Sequence, residues 1–305
     1  MSQKYWDVTQ IPTQKGKVAI VTGANTGLGY ETALALAGKE ATVILACRNM
    51  EKAAKAKANI LEKYPNATLE CREIDLSKLK SVRAFAANFI KDYSSLHLLI
   101  NNAGIMMPPF SKTEDGFESQ LAANYLGHFL LTERLLETIM KTKDSRIISL
   151  SSIAHKRGII QFKDLNYEQQ YSKMGAYSQS KLACLIFAIE LQRRLEKAGS
   201  STISLAAHPG ISDTELSRHL PKWSMFILPI MAPFFSHKPA RGALPILRAA
   251  LDENVKGGEY YGPKHKKEYK GPPVKVKPRR TAMDEELAKK LWLVSEELTN
   301  CKYNL

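Results

Sequence analysis

The sequence predicts a doubly wound α/β domain, a single parallel sheet with helices on both faces. Two observations carry that prediction. From residue 17 onward, short β-branched and apolar runs alternate with amphipathic stretches of helical period, the pattern of strands joined through crossover helices. Most of the runs are apolar on both faces, as strands covered from two sides must be. They are KVAIVT (17–22), ATVILA (41–46), ATLECREI (67–74), LHLLIN (96–101), RIISLS (146–151) and TISLAA (202–207).

The first run leads directly into TGANTGLG (22–29), and a helix is expected over 27–38. Glycines between a first strand and a first helix let the backbone turn sharply and approach a pyrophosphate at the helix N-terminus. The same cluster elsewhere would read as an ordinary turn. Further helical stretches lie near 50–63, 78–92, 117–141 and 174–197. No gap reads as a linker and no repeat is visible, so residues 1–305 are expected to form one domain.

Hydrophobic residues make up 44% of the chain and charged residues 24%, ordinary values for a globule with a sizeable core. Cys47, Cys71, Cys184 and Cys301 are far apart and form no CxxC or Cys/His spacing. That argues against a zinc site or a disulfide framework and fits a reducing cytoplasm. No metal is expected, and the location expected is cytoplasmic. The N-terminal stretch MSQKYWDVTQIPTQKGK is polar, with no apolar run to act as a signal. No segment approaches the ~20 apolar residues of a transmembrane helix.

The net charge is +14, and half of it falls within Lys256–Arg280, where nine Lys and Arg meet two Glu. Glycine and proline are frequent there, so 256–280 is expected to be an exposed basic loop. Nucleic-acid binding is not expected from so local a charge. Contact with a phosphate, an acidic partner or an anionic membrane surface stays open.

The spacing Thr-Gly-x-x-x-Gly-x-Gly at 22–29 resembles the short-chain dehydrogenase/reductase family, whose extended members space these glycines differently. The resemblance implies a Rossmann-type fold with cofactor contacts from Gly23, Asn25, Thr26, Gly27, Leu28 and Gly29. At the end of the second strand, Cys47 stands where the family's NAD-dependent members carry an acid, and Arg48 follows. Arginine offers a forked, charge-assisted contact to a 2′-phosphate. NADP(H) is therefore expected over NAD(H), held there by Arg48 and Asn49. By the same resemblance Asp75 and Leu76 lie beside the adenine, and Asn102, Ala103 and Gly104 of NNAG shape the adenosine side. Pro209 and Gly210 of HPG, with Thr214, match the segment that meets the nicotinamide carboxamide and diphosphate.

Four further residues match the family's catalytic set in order: Asn124 in AANYLGHF, Ser152 in SLSS, and Tyr177 and Lys181 in YSQSK. Tyr177 and Lys181 fall one turn apart on one helical face. A carbonyl accepting hydride develops charge on oxygen and must receive a proton. An ammonium beside a tyrosine stabilises the tyrosinate and so fits the phenol to that exchange. The resemblance also implies that Lys181 bonds the nicotinamide ribose, Ser152 bonds the reacting oxygen, and Asn124 holds a water linking Lys181 to solvent.

Ser152 and Tyr177 are 25 residues apart, a longer interval than is usual in the family. The intervening IAHKRGIIQFKDLNYEQQYSKMGA resembles that of retinol dehydrogenases and protochlorophyllide-reductase relatives, as do ACRN, NYLGHFLLT and LSSIAH. The chain most resembles bacterial oxidoreductases of that group. After Thr214, the uncharged stretch 223–235 is expected within a lid over about 212–237, with core packing, a subunit contact or a membrane-surface dip as alternatives. The activity implied is NADP(H)-dependent interconversion of a lipophilic aldehyde or ketone, retinoid-, steroid- or long-chain-like, and its alcohol. Reduction of a conjugated C=C bond and cofactor sensing without turnover are the alternatives. No transmembrane segment is expected, peripheral membrane contact stays open, and the protein is expected as monomer or homo-oligomer.

Overall fold

The computed structural model describes residues 5–211, 238–265 and 267–305. The expected lid and Thr214 lie outside the described residues.

Eight strands form one sheet in the order β3-β2-β1-β4-β5-β6-β7-β8. They are β1 (Val18–Thr22), β2 (Thr42–Cys47), β3 (Leu69–Glu73), β4 (Leu98–Asn101), β5 (Arg146–Leu150), β6 (Ile203–Ala207), β7 (Tyr260–His265) and β8 (Lys270–Lys275). The first seven are parallel and β8 is antiparallel to β7. Apolar residues set the register, with Ala19 opposite Leu98 and Val21 opposite Ile100 where β1 meets β4. The chain leaves β3 on one side of β1 and returns as β4 on the other. That reversal opens a crevice beyond the C-terminal ends of β1 and β4, where open α/β sheets bind ligands.

The helices are α1 (Gly27–Ala37), α2 (Met50–Lys63), α3 (Leu79–Asp92), α4 (Gly127–Lys141), α5 (Lys173–Lys197), α6 (Leu244–Leu251) and α7 (Glu285–Thr299). Leu36, Ile60 and Ile246 bring α1, α2 and α6 onto one face of the sheet. Phe85, Phe129, Leu185 and Trp292 bring α3, α4, α5 and α7 onto the other. The helices expected from the sequence do not include α7, although Ala288, Leu291, Trp292 and Ser295 fall on one face. Its Trp292 ring lies 5.3 Å from Phe129 of α4 and 5.8 Å from Phe187 of α5. The Tyr303 hydroxyl then donates to the Phe129 carbonyl at 2.7 Å.

Two expectations need correction. The basic segment 256–280, expected as an exposed loop, contains β7, β8 and their turn. Tyr260 and Tyr261 are only 1% and 3% exposed; burying that pair against the sheet outweighs the local preference of the surrounding glycines and prolines. Ala206 and Ala207 of β6 pair with them. β8 forms the sheet's edge and carries Pro272 and Pro273, which lack N–H groups and discourage another strand from adding there. The helix expected over 117–141 is also not continuous. A short turn, Ser119–Leu121, passes into a π-helical turn, Ala122–Leu126, before α4 begins. A π turn breaks the regular ladder and frees a carbonyl, and it falls on Asn124.

Candidate active site

The crevice is built around the Thr22 hydroxyl at the end of β1. Thr22 Oγ1 accepts from the Asn102 and Ala103 N–H groups, each at 2.9 Å. The Asn102 amide in turn donates to the Thr22 carbonyl at 2.8 Å. These bonds join the glycine loop after β1 to the NNAG stretch after β4.

Buried His128 completes the joint. Its Nδ1 lies 3.0 Å from the Asn124 carbonyl and its Nε2 2.9 Å from Thr22 Oγ1. A carbonyl only accepts, so Nδ1 carries the proton and Nε2 accepts from the threonine. Burial pushes the His128 pKa down to about 4, a bond to the Asn124 carbonyl partly opposes this, and the Lys181 charge adds to it. The ring is therefore neutral at pH 7.

The glycine loop fits a dinucleotide phosphate. Gly23 has a φ of 67°, in the left-handed region that favours glycine. A Cβ on Gly29 would lie 2.3 Å from the Gly23 carbonyl oxygen, so only glycine lets α1 start against the loop. At the head of α1, Thr26 makes no side-chain cap and the first turn holds no acid. Its N–H groups and the helix dipole are thus left for an anion. Asn102 Oδ1 is buried with no hydrogen-bond partner among the described residues, a further polar atom suited to a ligand. The sequence-expected residues Asn25 and Leu28 belong to this loop and helix start.

At the end of β2, Arg48 and Asn49 are exposed. Asn49 also has a structural job, accepting from the Lys52 N–H at 2.8 Å as the cap of α2. Burial pushes the Cys47 thiol up to about 12, so it is neutral where an NAD-type acid would stand. Asp75 Oδ1 accepts from the Ser77 N–H at 3.0 Å and the Ser77 hydroxyl at 2.6 Å, tying that carboxylate into its own turn. The Leu76 carbonyl oxygen packs so closely on Gly127 that a Cβ there would approach it to 2.3 Å. Among the described residues no group of three or more His, Cys, Asp or Glu is placed to hold a metal.

Asn124, Lys181 and Gly104 converge. Asn124 Oδ1 accepts from the Ile105 N–H at 2.7 Å, while its Nδ2 donates to the Ile105 carbonyl at 3.0 Å and to Ser180 Oγ at 2.9 Å. Ser180 donates its own proton to the Tyr177 carbonyl at 2.8 Å, and so presents only a lone pair to Asn124. That arrangement fixes which way the amide faces. Buried Lys181 donates to the Leu150 carbonyl at the end of β5 at 3.0 Å. A Cβ at Gly104 would lie 3.0 Å from Asn124 Oδ1 and 3.3 Å from Lys181 Nζ. The absent side chain thus lets an amide oxygen and an ammonium both come close to the Gly104 backbone.

Tyr177 lies on α5, one turn before Lys181, and is 6% exposed. Ser152 follows β5 and caps the short turn Ile153–Arg157, accepting from the Ala154 N–H at 3.2 Å. This turn is held against α5: the Ser151 hydroxyl donates to the Lys181 carbonyl at 2.8 Å. A Cβ at Gly158 would lie 2.4 Å from the Ser178 carbonyl oxygen. Pro209 and Gly210 follow β6, also at its C-terminal end.

A family model described as short chain dehydrogenase matches residues 17–224. The chain belongs to the short-chain dehydrogenase family. Members are oxidoreductases that interconvert carbonyl and alcohol groups and bind NAD or NADP. The chain is 44% identical to retinol dehydrogenase 13 of Homo sapiens over 294 residues, covering 94% of this chain and 85% of that protein. It is 42% identical to human retinol dehydrogenase 12, covering 94% and 88% of the two chains. A crystal structure of an uncharacterized protein from Mycobacterium paratuberculosis matches with a TM-score of 0.83 and 40% identity, covering 99% of this chain and 100% of the other. A Shigella flexneri short chain dehydrogenase complexed with NADP shares the fold, with a TM-score of 0.62 and 22% identity, covering 81% and 96% of the chains.

Sequence reasoning missed Thr22, His128 and Ser180 as parts of this dehydrogenase site. Each had a signal: Thr22 abuts the glycine loop, His128 stands four positions after Asn124, and Ser180 immediately precedes Lys181.

Proposed function

We propose that this dehydrogenase uses NADP(H) to interconvert a lipophilic aldehyde or ketone and its alcohol. The observation that carries the reading is the convergence of Asn124 Oδ1 and Lys181 Nζ on Gly104 at the switch point of the sheet. The phosphates would rest on the Gly23–Gly29 loop and the head of α1, and the 2′-phosphate on Arg48. When bound, the nicotinamide supplies or accepts the hydride. Tyr177 gives the substrate oxygen its proton in reduction and takes it back in oxidation. Ser152 donates to that oxygen as charge develops on it. The second lone pair of Asn124 Oδ1 is available for a water that resupplies the proton.

A lipophilic substrate suits the wall beyond NNAG, where Ile105, Met106, Met107 and Pro108 are half-buried. Phe110, 43% exposed, meets Tyr171 of the insertion edge-on at 5.1 Å. The curated relatives, named as retinol dehydrogenases, act on a molecule of that character. Tryptophan-fluorescence titration with NADPH and NADH, followed by assays on retinal and long-chain aldehydes, tests the reading. Tighter binding of NADPH and an alcohol product are expected, with Tyr177→Phe binding cofactor normally but not turning over. A product that keeps its carbonyl and loses a conjugated double bond would overturn it.

A further inference from the structure

Behind Ser152 lies a polar chain, buried at His155 and His208 and open to solvent at Lys156, that the reaction itself does not use. It begins at Glu268, in the turn between β7 and β8, at a φ of 65°. Glu268 Oε1 accepts from Lys156 Nζ at 2.7 Å. Its Oε2 lies 3.1 Å from His208 Nε2, a polar contact set off the line of a straight hydrogen bond. Burial raises the Glu268 pKa, but His208 and Lys156 outweigh it and hold the group below its ordinary range. The carboxylate is therefore ionised at pH 7.

Its two partners lead to two halves of the site. Lys156 sits in the turn capped by Ser152, and the same turn is gripped by Arg279, which donates to the Lys156 and Gly158 carbonyls at 3.1 and 2.9 Å. His155, its neighbour, lies 2.7 Å through Nδ1 from the Ser152 carbonyl. His208, fully buried, begins HPG, and its Nδ1 accepts from the Gly210 N–H at 3.2 Å. The next hairpin residue reinforces the second arm: the Tyr269 carbonyl accepts from the Ile211 N–H at 2.8 Å. A Cβ on Gly210 would lie only 2.3 Å from that oxygen. Between the arms stands Tyr260, its ring 5.5 Å from His155 and 5.2 Å from His208.

We infer that Glu268 is a positioning residue, a strut on the C-terminal hairpin that sets the Ser152 turn and the Pro209–Gly210 loop relative to one another. It touches neither substrate nor cofactor. A carboxylate suits the place because one oxygen accepts from a lysine while the other lies against a histidine. The inference rests on the proposed NADP(H) reaction, in which those two segments face the substrate oxygen and the nicotinamide.

The test compares Glu268→Gln and Lys156→Met with the wild-type enzyme in NADPH titration, steady-state kinetics and thermal melts. Glu268→Gln removes the charge that satisfies both arms. It is expected to weaken NADPH binding and lower kcat, each by roughly tenfold or more, the usual scale for a charged hydrogen bond. Lys156→Met cuts only the serine arm and is expected to lower kcat while NADPH affinity stays within about twofold of wild type. A Glu268→Gln enzyme that melts earlier yet keeps wild-type affinity and kcat would overturn the inference, leaving Glu268 as hairpin glue. Should Glu268→Gln not fold, Lys156→Met decides alone, and an unchanged kcat overturns the inference. Wild-type protein that binds neither nucleotide would instead sink the proposed function.

Discussion

Adding one methyl group at Gly104 tests the site at its narrowest point. The new carbon would lie 3.0 Å from Asn124 Oδ1 and 3.3 Å from Lys181 Nζ, the first too tight by a few tenths of an ångström. Asn124 cannot yield freely. Its amide is held on both sides, by Ile105 at 2.7 and 3.0 Å and by Ser180 at 2.9 Å. Overpacking of this kind costs about 1–3 kcal/mol, and each amide bond pushed off line forfeits about 1 kcal/mol more. If roughly 2 kcal/mol of that falls on the transition state, Gly104→Ala lowers kcat/KM by about 10- to 100-fold, at 1.36 kcal/mol per factor of ten. The assay is initial-rate carbonyl reduction with NADPH, with thermal melts run alongside to separate a distorted site from a weakened fold. A variant within about twofold of wild-type kcat/KM would refute the reasoning. It would mean that the amide and the ammonium are not held where that methyl must go.

Arg48→Ala is expected to weaken NADPH far more than NADH in fluorescence titration; equal losses would place 2′-phosphate recognition elsewhere. Trp292→Ala removes a ring that is 2% exposed among Phe129, Phe187 and Tyr303, and should cost about 3–5 kcal/mol in urea unfolding. A loss below about 1 kcal/mol would show that α7 is not tightly packed. Acid should also destabilise the fold through its buried imidazoles. Burial lowers His128 and His155 to about 4 and also lowers His208. Their contribution is whole above the unfolded-state pKa near 6.5; for His128 and His155 it is lost as pH falls from there toward 4, and His208 acts in the same direction. His128 and His155 each add a slope of about 1.4 kcal/mol per pH unit to the unfolding free energy in that window. Urea titrations at pH 7.5, 6 and 5 would measure it, and a flat profile would show the rings to be hydrated or charged.

Much of the sheet was legible because its runs are long, apolar and regularly broken. All six expected strands formed with ends shifted by no more than two residues, as at 67–74 against Leu69–Glu73. The hairpin escaped because its residues argue locally for a loop; only the neighbouring strand makes Tyr260 and Tyr261 worth burying. The π turn at Asn124 escaped because a hydrophobic period of about 3.6 runs through it nearly undisturbed. Asn124, Ser152, Tyr177 and Lys181 were chosen as candidates from their order and spacing, and their catalytic roles are part of the proposed function. Thr22, His128 and Ser180 were not, since their contribution lies in which neighbour each hydroxyl or imidazole faces. His208 stood in a recognised motif, yet its link to Glu268 crosses 60 positions of sequence. Periodicity does not report a contact of that range.

The aromatic seal that α7 and Tyr303 lay over α4 and α5 has a consequence for synthesis. Phe129 and Tyr303 are 174 positions apart, so the ribosome delivers the two sides of this contact at well-separated times. Until Tyr303 emerges, α5 carries Tyr177 and Lys181 on a helix whose other flank, at Phe187, has no cover from Trp292. A nascent chain with the whole parallel sheet already made would still show chaperones an oily aromatic face. Closing that face waits for a segment made long after α5, and the helix that carries Tyr177 and Lys181 gains its full cover only then.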